Sequence, residues 1–77
     1  MKWTSVEDRL PTEEDCLQSG TNVFLCTVLH RYDAEDRWRY RIVEPKLLNT
    51  DYKTWAVNVD KEKVIAWMPM PKAYQRE

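Results

Sequence analysis

The stretch Asn22-Val23-Phe24-Leu25-Cys26-Thr27-Val28-Leu29-His30 decides the fold. Successive side chains of an extended chain point to opposite faces, so Val23, Leu25 and Leu29 share one side and Phe24, Cys26 and Val28 the other. A strand that is apolar on both faces belongs in the middle of a sheet. Downstream, residues 37–43 alternate, with Trp38, Tyr40 and Ile42 inward and Arg37, Arg39 and Arg41 outward. The polar residues 32–36 between the two segments suit a hairpin connection. Pro45 is expected to close this strand, and residues 46–53 to form a loop that tucks Leu47 and Leu48 back.

Further along, residues 54–59 alternate with Trp55, Val57 and Val59 on one face. A turn at 60–62 leads into residues 63–68, where Val64, Ala66 and Met68 oppose Ile65 and Trp67. Pro69 and Pro71 then stop the sheet, because neither can donate to a ladder. Upstream, residues 2–6 form a short extended piece that plants Trp3 and Val6 on the core. Thr12 can cap a helix whose first turn holds Glu13, Glu14 and Asp15, where the helix dipole favours anions, and Gly20 can end it. The expected fold is α+β: one domain over residues 1–77, a small antiparallel four-stranded β-meander with one short N-terminal helix.

Composition agrees with a small folded domain. The chain has 77 residues, 43% hydrophobic and 32% charged, which argues against disorder. Four Trp, four Tyr and one Phe supply the bulk a short chain needs for a core. The net charge of −1 hides an asymmetry: residues 1–20 carry −3 and the rest +2. That balance does not suit a nucleic-acid protein, which is expected to be clearly basic. The longest apolar run, residues 23–29, is interrupted by Thr27 and falls far short of the roughly 20 residues of a membrane span. With no secretory leader expected, Cys16 and Cys26 are expected to be free thiols in a reducing cytoplasm.

Catalytic and metal-binding constellations are not expected. His30 is the sole histidine, and it lies about 13 Å along the strand from Cys26, too far for a dyad. It reads as a polar residue at a strand end. Two Cys ten positions apart and one His give at most three zinc donors without a C-x-x-C pair. The cysteines are better read as small buried hydrophobes. Asp33, Glu35 and Asp36 lack the calcium-loop pattern, and a single Gly excludes a glycine-rich phosphate loop. No cofactor is expected.

Arg37, Arg39 and Arg41 are the most pointed surface feature. On one face of a strand they would project about 7 Å apart, and arginine pairs well with phosphate or carboxylate. The plainer reading is a solvated face, with the arginines paired to Asp33, Glu35, Asp36 and Glu44. A protein partner ranks next and nucleic acid last, since the net charge opposes it. Candidate binding residues are therefore Arg37, Arg39 and Arg41, the loop residues Asp33, Glu35 and Asp36, and the acidic Glu13, Glu14 and Asp15. Trp38 and Trp55 are expected in the core, while Trp3 and Trp67 lie nearer the chain ends, where a ring can cover the core or anchor a partner.

The two ends of the chain resemble a family. Trp3-x-Ser5-Val6-x-x-Arg9-Leu10-Pro11 and Val64-x-x-Trp67-Met68-Pro69-Met70-Pro71 are similar to the W-x-S-V-x-x-R-L-P opening and V-T-H-W-M-P-L-P closing of a domain-of-unknown-function family. Its members are short proteins frequent in phages and prophages. Here Ile65-Ala66 stands where that family typically has Thr-His, and the middle is longer. The resemblance implies a phage or prophage origin and no activity. By analogy with small phage accessory proteins, it implies binding to a host protein in the host cytoplasm, including inhibition of a defence machine such as a CRISPR effector. The expected function is thus non-catalytic protein binding. The alternatives are a small nucleic-acid-binding module that also uses Arg31, and a homodimer paired through an exposed edge strand.

Overall fold

β2 (Val23–His30) has a neighbour on each side, as its two apolar faces require. In the computed structural model, which describes residues 2–33 and 37–71, β2 pairs antiparallel with β3 (Tyr40–Leu47) and β4 (Glu62–Pro69). The two-residue β1 (Thr4–Ser5) pairs antiparallel with the far side of β4, giving the order β1-β4-β2-β3. One helix, α1 (Glu13–Ser19), precedes β2. The class is the expected one: α+β, a four-stranded antiparallel sheet with one short N-terminal helix.

The strands are not all where alternation places them. Residues 54–59 form no strand; only Trp55 makes an isolated bridge, to Leu48. The fourth strand is β1 instead. The alternation there has another origin: the segment lies over the sheet, so Trp55 and Val57 pack on the core while Val59 stays exposed. Pro45 does not close β3, which runs on through Lys46 and Leu47. An edge strand tolerates proline, because the missing N–H can face away from the ladder.

The expected faces of β4 also change. Thr27 pairs with Ala66 but Val28 with Val64, so Ile65 is an extra, bulged residue. The bulge brings Val64 and Trp67 to one face, and both are buried. They join Phe24, Cys26, Val28, Leu48 and Cys16 in the core, against which Val6, Tyr52, Trp55 and Val57 pack. Phe24 meets Trp67 and Trp55 edge-on, with ring centroids 5.4 and 6.2 Å apart.

The helix follows its sequence signals. Thr12 and Asp15 form a reciprocal capping box, and Gly20 takes the left-handed conformation at φ 71°. Seven residues cannot hold a helix alone, so burial of Cys16 against the sheet keeps it in place. The loop after β3 is fixed by Asp51, which accepts from the Lys53 and Thr54 N–H groups; Tyr52 sits there at φ 56°. The helix and the segment with Tyr52, Trp55 and Val57 lie on the side of the sheet that carries Phe24, Cys26 and Val28.

Candidate binding surface

β2 and β3 end in the open at a cluster of arginines and rings. The last ladder pair is His30 with Tyr40, so only Arg41 of the three spaced arginines lies in a strand. Arg37 and Arg39 precede it, and the expected stripe of three on one pleated face is not formed. The reason is register: the ladder with β2 ends at the His30–Tyr40 pair, where the Arg39 N–H donates to the His30 carbonyl, and β3 begins only at Tyr40. All three remain exposed.

What the structure assembles instead is a set of stacked pairs. The Arg31 guanidinium carbon lies 4.5 Å from the centre of the Trp38 ring, and its Nε donates to the Asp60 carbonyl at 2.6 Å. The Tyr32 ring stands 5.1 Å from that of Tyr40, yet the two residues are 72% and 41% exposed. Trp38 is half-buried under this stacking rather than in the core, and Tyr40 and Ile42 lie on the core side of the sheet but beyond its cover. A shallow concavity of about 320 Å³ lined by His30, Arg31, Tyr32, Asn58, Lys61 and Glu62 adjoins them. Asp33 is exposed here; Glu35 and Asp36 lie outside the described residues.

Beneath this cluster runs an ionic chain. His30 Nε2 lies 2.8 Å from Glu44 Oε1, the Lys46 ammonium 3.2 Å from the same oxygen, and Lys46 also donates to Glu62. Glu62 accepts the Asn58 N–H at 3.0 Å. The hydrogen bond from Lys46 foremost, then that from Asn58, holds the Glu62 carboxyl below its ordinary 4.5. Burial alone lowers the Lys46 ammonium, but bonds to Glu62 and Glu44 more than offset it and raise it above 10.5. The donor atoms of His30, Glu44 and Glu62 fall within 4.8 Å of one another, close enough for a metal. The cation between the two carboxylates is the chain's own Lys46. The sequence reading missed Lys46 and Glu62, one taken for a loop and the other for a turn; their signal was the even-numbered polar series Glu44, Lys46 on β3.

The cysteines are poorly placed for chemistry. Burial pushes the Cys26 thiol up to about 12 and also raises Cys16, so neither is a thiolate near neutrality. Both are free and buried. The acidic segment is divided in use. Asp15 caps the helix and pairs with Arg9 at 2.9 Å, while Glu13 and Glu14 are exposed. Backbone bonding at Thr12 first, then Arg9, keeps the Asp15 carboxyl low against burial.

The residues quoted for the family resemblance come together. Trp67 Nε1 donates to the Arg9 carbonyl at 3.0 Å, and the Arg9 guanidinium carbon lies 5.0 Å from the Trp67 ring centre. The Ser5 carbonyl accepts the Asp8 and Arg9 N–H groups, which turns the chain toward that contact. Pro11, Trp67 and Met68 are buried, Val6 and Leu10 half-buried, and Pro69 and Pro71 exposed. Trp3 is 39% exposed, on the side of the sheet away from the core. Opening and closing segments thus form one structural unit.

No helix among the described residues is long and apolar enough to cross a membrane. No curated protein and no solved structure is significantly similar to this chain. Residues 2–75 match the sequence model of a family described as a protein of unknown function, DUF551, and the chain belongs to that family.

Proposed function

We propose that this domain acts without catalysis, by binding a protein through the arginine-rich end of β2 and β3. One observation carries the reading. Arg31 on Trp38 and Tyr32 on Tyr40 hold four large side chains in set positions at the surface, beside the exposed Arg37 and Arg39. Arginine and aromatic residues dominate interface energetics, and groups already held lose less entropy on binding. The partner surface is acidic, since arginine forks pair with carboxylates. The similarity of the chain ends to short phage proteins supports a host protein as that partner, a CRISPR effector or other defence machine among them.

The test is affinity of a captured host partner for the chain and for a variant with Tyr32, Arg37, Arg39 and Tyr40 changed to alanine. The variant should bind at least about a hundredfold more weakly. Equal affinity would remove this surface from the function. A second reading, single-stranded nucleic acid, is favoured by the Arg31 guanidinium stacked on Trp38 and by the exposed Arg37 and Arg39 near the Tyr32–Tyr40 ring pair in the chain. Binding to mixed-sequence strands that falls steeply with salt would support it over the first.

A further inference from the structure

The ionic chain gathers three metal donors from three adjacent strands. His30 closes β2, Glu62 opens β4 directly opposite it, and Glu44 stands on β3 across from Cys26. Alternate residues of a strand share a face, so His30 lies with Cys26 and Val28, and all three donors emerge on the core side of the sheet. Their ligand atoms fall within 4.8 Å of one another, and His30 Nε2 is already 2.8 Å from Glu44 Oε1. Two ligands of a tetrahedral zinc ion stand roughly 3.3–3.6 Å apart. The set spans that value, so side-chain shifts of about 1 Å would close it around an ion.

We propose that His30, Glu44 and Glu62 form a zinc site, which the ion enters by displacing the Lys46 ammonium. This goes beyond the proposed binding reading and does not depend on it. The first argument is charge. Lys46 lies 3.2 Å from Glu44 Oε1 and donates to Glu62, so one positive charge already sits between two carboxylates. A divalent ion there balances both carboxylates, where Lys46 balances one.

The second argument is the nitrogen donor. An imidazole beside carboxylates suits zinc, whereas magnesium and calcium take oxygen ligands. His30 with its proton on Nδ1 frees Nε2 for the metal, and Lys46 keeps its own proton and turns to water. The third is access. The side chains of His30, Glu44 and Glu62 keep 23%, 28% and 19% of their exposure, and His30 and Glu62 line the open concavity of about 320 Å³. The ion has a way in, and a water has room as the fourth ligand. Lys46 has a way out, on a flexible stem in an edge strand.

Calorimetric titration of zinc chloride into the untagged, chelator-washed full chain tests this. One zinc ion should bind per chain, and magnesium at about a thousandfold excess should not displace it. His30→Gln should weaken binding at least about tenfold, because it removes the nitrogen ligand. Lys46→Met should strengthen binding at least about tenfold, because it removes the competing cation. Glu13→Gln, exposed on the helix, should leave the affinity unchanged. If either site variant fails to fold, the wild type decides. Its sole histidine gives one pair of imidazole signals in nitrogen NMR, and that of Nε2 should move on addition of zinc. Absence of saturable binding overturns the inference. So does binding that magnesium displaces, that His30→Gln leaves intact, that Lys46→Met does not strengthen, or that leaves the Nε2 signal in place.

Discussion

Lys46 and Glu62 are ion-paired although they stand on strands that do not touch. Lys46 is opposite Phe24 on one side of β2, and Glu62 opposite His30 on the other. In a flat sheet those positions are about 20 Å apart along β2, more than two outstretched side chains bridge. The sheet therefore curls, drawing this diagonal together across its covered face. The bulge at Ile65, where β4 slips against β2, supplies the extra twist. The ion pair is a clasp on that curl, closing the core beside Val28.

Lys46→Met should accordingly destabilise the domain by about 2 kcal/mol, because Glu44 and Glu62 would be left as neighbouring, half-buried carboxylates. A urea titration should show a lower midpoint with an unchanged slope. A midpoint equal to wild type would mean that the clasp is solvated and contributes nothing.

The same pair sets limits in pH. Glu62 is held below 4.5 in the folded state, so its contribution is present above that value and is lost as pH falls through the folded one. Lys46 is held above 10.5, so its contribution is present below that value and is lost as pH rises through the folded one. Asp15, lowered from 3.8 by the capping box, adds to the acid limb. Thermal midpoints measured from pH 6 down to 2 should fall for the wild type and fall less for Lys46→Met.

Trp67→Phe keeps a ring beside Phe24 but removes the indole N–H from the Arg9 carbonyl. The expected loss is about 1–2 kcal/mol, from the orphaned carbonyl and the smaller ring. Hydrogen exchange should speed up in residues 5–10 before it does in β2, since the bond ties the opening segment to β4. Uniform acceleration would show that the contact holds the whole sheet.

Cys26, fully buried and with its thiol pushed up to about 12, should resist a disulfide reagent at pH 8 until the domain opens. Cys16 on its seven-residue helix should react sooner, because that helix is held by few contacts. Labelling rates followed by mass spectrometry give the order. Equal, fast rates would mean that the helix and sheet open together.

Residues 22–30, apolar on both sides, determined by themselves that β2 would be central, and Thr12, Asp15 and Gly20 determined the helix, because period and capping are local properties. The partner of β4 was not legible. Residues 54–59 alternate as well as any strand, whereas residues 2–6 read only as a short extended piece, yet the second pair the sheet through Thr4–Ser5 and the first cover it. Nor could the line of sequence place Lys46 against Glu62, which depends on how far the sheet curls, or bring Arg9 to the Trp67 ring, which depends on β1 pairing with β4. Tertiary structure decided these because burial rewards a side chain for the face it reaches, and one bulged residue changes that face for every residue beyond it.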